Sequence, residues 1–139
     1  MISQSLMIYC LIAGGIYLII IGGILELIER KLKLSAQIPH ELKEEYGISW
    51  FIINWILEFL FFVVIPTLIF SFFYIILPLT GLRTGMTIAL VAFTLGAVPF
   101  VMGMSMRIKL PIPFLLYSLL GFIIKIGGTI SIIGYLYSI

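Results

Sequence analysis

Residues 1–25, 59–82 and 84–106 each pass without a single Asp, Glu, Lys or Arg. A helix needs about 20 predominantly apolar residues to cross the hydrocarbon core of a bilayer, so each run is long enough to span. A fourth segment, 110–137, is as apolar except for Lys125, which stands inside "GFIIKIGG". Backbone donors and acceptors find no water in that core, which leaves helices or a closed barrel. Continuous apolar runs do not match the alternation of barrel strands. The chain therefore reads as an all-α integral membrane protein, a bundle of four transmembrane helices in a single domain over residues 1–139. The spans fall at about 5–28, 49–76, 84–106 and 110–137, with a loop at 29–48.

Composition agrees with this class. Charged residues make up 10% of the chain and hydrophobic ones 63%, against roughly 25% charged in a soluble domain. No basic n-region precedes the first run, and "ELIERKLK" after it has the character of a stop-transfer flank, not of a removable signal. The net charge of +2 is too small to imply a nucleic-acid partner. Cys10 is the lone cysteine and reads as a small core or lipid-facing residue.

The links between spans set the orientation. Arg30, Lys31, Lys33, Lys43, Arg107 and Lys109 lie in loops one and three, whereas the opposite side holds only Arg83. The positive-inside bias puts loops one and three in the cytoplasm and both termini outside, in a multi-pass protein of the plasma membrane. Within loop one, "IPHELKEEYG" predicts a short helix from Pro39 to Gly47, with Leu42 and Tyr46 on one face. Ser49 is the expected N-cap of the second span. Trp50 and Trp55 are expected to anchor at the interface.

Helices in lipid pack through small residues that let backbones approach. On the third span Gly85, Ala89, Ala92, Gly96, Pro99 and Gly103 recur at alternating steps of four and three, one seam of a heptad. That seam should pack against another helix, of this chain or a second one, and Pro99 should bend it. Gly15, Ile19, Gly22 and Glu26 share an arc on the first span, with Gly23 beside it. Ser118, Gly121, Lys125, Gly128, Thr129 and Ile132 share a face on the fourth. The second span is rich in Phe, read as bulk toward lipid.

Two charges fall inside the spans. Glu58 is about 14 Å beyond Ser49 along a helix, near the middle of the core, with Asn54 one turn away on the same face. Lys125 is roughly 22 Å into the fourth span. Its side chain leans toward its own N-terminus, and so toward Glu58, because the second and fourth spans run parallel. Lys125 is expected to neutralise Glu58, with Asn54, Ser118 and Thr129 as further hydrogen-bond partners; snorkelling to the surface is the competing reading. As structure, the pair fixes which helices meet. As function, Glu58 takes up and releases a proton or cation. Glu26 is expected to be satisfied by Arg30 at i+4.

Catalytic signatures are missing. In "HELKE" a glutamate, Glu44, stands where H-E-x-x-H needs its second histidine, and His40 is the sole histidine. There is no C-x-x-C, P-loop or nucleophile elbow. The sequence thus favours a non-catalytic protein without metal or cofactor. The preferred reading is an accessory or assembly subunit, or a homo-oligomer, whose partners are the bilayer and other membrane subunits or copies of itself. The alternative is a small proton- or cation-coupled transporter or channel working through Glu58 and Lys125.

Overall fold

The computed structural model describes residues 4–42, 47–73 and 81–139. Four helices are long and apolar enough to cross a membrane: α1 (Gln4–Leu32), α2 (Ile48–Phe73), α3 (Leu82–Arg107) and α4 (Ile112–Leu136). Among the described residues there is no strand. Residues 74–76 of the expected second span, and the expected face of Leu42 and Tyr46, lie outside what can be described.

Local chemistry sets the helix ends and corrects several expectations. Gly47 is extended and its carbonyl accepts the first helical bond, from Phe51 N at 3.2 Å, so Ser49 lies inside the first turn and does not cap it. Gly81 has φ +104°, a conformation open to glycine, and α3 starts directly after it, which brings Arg83 into the first turn. α4 begins at Ile112 because Pro111 takes the cap position and Pro113 the first turn, where a missing N–H is harmless. The described part of loop one forms two 3₁₀ turns, Leu34–Gln37 ahead of the expected short helix and His40–Leu42 at its start; residues 43–46 of that stretch lie outside the described residues. Pro39 separates them, since it lacks a donor and restricts the residue before it.

α2 and α3 each contain a π segment, Leu60–Val64 and Phe93–Ala97. In both, a proline follows two residues later, Pro66 and Pro99. A proline ring crowds the carbonyl four residues back and offers it no hydrogen bond. The wider π turn takes up that disturbance without ending the helix.

α4 is the central helix. It lies antiparallel to α1, and Tyr17 donates to the Ile124 carbonyl at 2.8 Å while Tyr117 donates to that of Leu25. It runs parallel to α2, where Phe62 meets Phe122 edge-on and the Tyr137 hydroxyl reaches the Thr67 carbonyl at 3.4 Å. α1 and α2 close on each other through glycine: a Cβ at Gly14 would lie 2.6 Å from Val63, and one at Gly15 would lie 3.0 Å from Phe59. Cys10, Leu18, Val63, Thr67, Thr129 and Ile133 are fully buried among these three helices. The backbone of α3 comes close to that of α4 alone among the described residues. Large apolar side chains such as Phe61, Phe72, Leu95 and Leu120 cover the outside.

The expected seam on α3 divides between Ala89 and Ala92, just before the π segment. Gly85 and Ala89 are buried, and Gly85 sits against the α4 backbone at Ile130 and Ser131. Ala92, Gly96 and Gly103 are exposed, and nothing lies within 4 Å of a Cβ at Gly96 or Gly103. The wider turn advances the inward face to Ala97 and Val101. The α1 arc is corrected too: Cys10, Gly14, Gly15 and Leu18 face inward, and Ile19 faces out. The Phe residues of α2 divide, with Phe61, Phe72 and Phe73 outward and Phe70 buried.

Candidate functional site: a charged, aromatic-walled cavity

α1, α2 and α4 pack tightly around Gly14, Gly15, Val63 and Ile133 but diverge toward the end that carries loop one. Gly22 and Gly23 have no neighbour within 4 Å of their Cβ positions, so α1 leaves a gap there. The result is a cavity of about 280 Å³ lined by residues from all three helices. On α1 the lining runs from Leu18 to Glu29, about 16 Å along the helix. Glu29, Trp50 and Phe114 stand near the helix ends, whereas Glu58 and Lys125 stand furthest inside.

At the inner end Lys125 Nζ lies 2.5 Å from Glu58 Oε1, with the two side chains 15% and 14% exposed. Asn54 Nδ2 donates to the same oxygen at 3.2 Å. The parallel run of α2 and α4 makes this possible, since both side chains approach from the same direction along the bundle. Both bonds converge on Oε1, and Oε2 takes neither.

The other expected partners do not join the pair. Ser118 donates to the Phe114 carbonyl at 2.9 Å, and Thr129 to the carbonyls of Lys125 and Ile126 at 2.8 and 3.2 Å. Each hydroxyl thus bonds its own helix, as serine and threonine in helices commonly do. Ser118 still lines the cavity, whereas Thr129 is buried beyond it. Glu26 also lines the cavity and is paired with Arg30 at 2.5 Å.

Sequence reasoning did not find the walls. Trp50, Phe51, Trp55, Phe114, Tyr117 and Phe122 supply six of the sixteen lining residues. Trp50 and Trp55 read as interface anchors, yet both border the cavity. Trp55 stacks on Phe59 with ring centroids 5.3 Å apart, and Phe59 wedges against Gly15. The available signal was spacing: residues 51, 54, 55 and 58 share one helical face with the glutamate. Among the described residues no three His, Cys, Asp or Glu side chains converge as metal ligands would.

Comparison with protein-family models, curated proteins and solved structures finds no match to this chain. Fold and site therefore define the class. By the length and composition of its helices this is a multi-pass membrane protein, a four-helix bundle with a cavity of aromatic and charged residues entering it from one end.

Proposed function

We propose that this protein is a small non-catalytic carrier that moves a cation, or couples another solute to one, through Glu58 and Lys125. The observation that carries the reading is the cavity that leads from the loop-one end to the pair. An ionisable residue at membrane depth is costly and ordinarily marks an ion or substrate path. A purely structural pair has no need of an access route. With loops one and three in the cytoplasm and both termini outside, as the basic residues favour, the cavity opens to the cytoplasm of a cell bounded by this membrane.

The test is flux in proteoliposomes. Wild-type protein should carry protons or a cation down an imposed gradient. The variant Glu58→Gln/Lys125→Met, which removes both charges and strands neither, should fold and carry none. Equal flux from the two proteins would end the carrier reading.

A second reading is favoured by a different observation. Ala92, Gly96 and Gly103 lie exposed on α3, and among the described residues nothing lies within 4 Å of a Cβ at Gly96 or Gly103. Small residues on a lipid-facing surface suit association with a further helix, in a homo-oligomer or as an accessory subunit of a larger complex. The two readings are compatible, because that face and the cavity lie on different helices.

A further inference from the structure

We infer that the first half of α2, Ile48–Phe59, is a gate arm, hinged at the π segment and latched to α4 by Lys125 and Glu58. The movement follows from the packing; its purpose, control of access to the pair, rests on the carrier reading. The two halves of α2 are held very differently. Val63, Thr67 and Phe70 are buried in the second half, whereas no residue of Ile48–Phe59 is buried. The backbone of the second half approaches α4, but no Cα of Ile48–Phe59 comes within 8 Å of one in α4. Segments with few buried contacts open at the least cost.

Space lies on both sides of the arm. The cavity of about 280 Å³ separates it from α4. A second cavity, of about 420 Å³, lies between Gly23, Leu27 and Arg30 of α1 and Gly47, Ile48 and Phe51 at the start of α2. α1 supports the arm near the hinge, where Phe59 and Trp55 lie within 4 Å of a Cβ position at Gly15. At Gly22 and Gly23 it leaves a gap. The arm is thus supported beside the hinge and has room to move at its loop-one end.

The hinge has a backbone cause. Ile65 N–H donates to the Leu60 carbonyl, five residues back. In that register the Phe61 carbonyl would be served by residue 66, which is proline and has no N–H. A helix bends where its ladder of bonds is interrupted, in preference to its regular turns. Glu58 stands just ahead of that segment, and Lys125 draws it toward α4. A proton or cation that neutralises Glu58 removes that attraction, and the arm relaxes away from α4 toward α1. Occupancy of the pair thereby sets the width of its own access route.

The test measures the arm directly. Spin labels are placed at Ile53→Cys and Leu116→Cys, both exposed and near the loop-one end, in a Cys10→Ala protein in nanodiscs. A second labelled protein, Phe72→Cys with Tyr135→Cys, reports the opposite end of the same two helices, beyond the hinge. Ile53 is about 14 Å from Phe62 along the helix, so a bend of about 20° moves it by about 5 Å. Pulsed electron resonance should show the first distance longer by about that amount in Glu58→Gln/Lys125→Met, with the second distance unchanged. Exchanging the charges, as Glu58→Lys/Lys125→Glu, should restore the wild-type distance.

A first distance that is unchanged or shorter in Glu58→Gln/Lys125→Met overturns the inference. So does an equal change in the second distance, which would report a loosened bundle and not a hinged arm. A charge-exchanged protein that keeps the longer distance overturns the latch. The expected lengthening, in a protein whose wild type carries no ion, would uphold the arm and remove the carrier reading. Ion flux with a fixed first distance would do the reverse.

Discussion

Lys125 of α4 and Asn54 of α2 donate to one and the same oxygen of Glu58, at 2.5 and 3.2 Å. That convergence sets the energetics of substitution.

Removing one member of the pair strands the other with little solvent, at a cost of about 3–5 kcal/mol. Removing both leaves an apolar contact, which is often close to neutral. Lys125→Met and Glu58→Gln should each lower the unfolding midpoint in detergent, Lys125→Met the more, since glutamine keeps the Asn54 contact as a neutral amide. The double variant should recover most of the loss. Purely additive losses in that cycle would mean that the two side chains do not interact energetically.

The α3–α4 contact rests on a pair of glycines. A Cβ at Gly85 would fall 2.8 Å from the Ile130 carbonyl oxygen, and one at Gly134 would fall 3.0 Å from Gly85 Cα and from the Gly81 carbonyl oxygen. Those neighbours are backbone and cannot swing aside. Gly85→Ala or Gly134→Ala should destabilise by about 1–3 kcal/mol through overpacking. Gly96→Ala meets nothing within 4 Å and should stabilise by up to about 1 kcal/mol through helix propensity. Thermal unfolding of the three variants in one detergent compares the signs directly.

Tyr17 and Gly128 give a subtler case. A Cβ on Gly128 would fall on the Tyr17 ring and hydroxyl, which lie over the α4 backbone and bond the Ile124 carbonyl. Here the obstacle is the far end of a side chain, which can move. Gly128→Ala should lose that hydrogen bond, about 1 kcal/mol, and regain a similar amount in helix propensity. Its net effect should be near zero in the wild type and stabilising by about 1 kcal/mol in a Tyr17→Ala background. An equal effect in both backgrounds would show that Tyr17 does not rest on Gly128.

Much of this architecture was legible because bilayer thickness and charge exclusion act on long runs of sequence. The four spans, and the reach of Lys125 toward Glu58, follow from uncharged length, helix rise and side-chain lean. What escaped depends on local departures from uniform geometry. The α3 seam was traced at a constant turn, yet Ala92 already faces out, and the π segment ahead of Pro99 carries the inward face on to Ala97. Pro66 carried the same warning in α2. The cavity escaped for another reason: it exists where helices diverge, and no single helix records the distance to its neighbours. Trp50 and Trp55 therefore looked like interface anchors, although both face the gap beside α1.

The exposed half of the α3 seam gives the last prediction. Ala92, Gly96 and Gly103 no longer face α4, yet small residues give little contact area toward lipid tails. A second helix could approach this face closely, at a backbone-to-backbone distance that bulky residues would prevent. Ala92→Leu and Gly96→Leu should leave insertion and the unfolding midpoint of the monomer essentially unchanged, since both positions are exposed. Both should reduce the native mass of particles extracted mildly from the protein's own membranes. Unchanged particle mass in both variants would remove this face as an interface. A lowered monomer midpoint without a change in mass would mean that α3 packs within the chain over its whole length, against the arrangement around Ala97 and Val101.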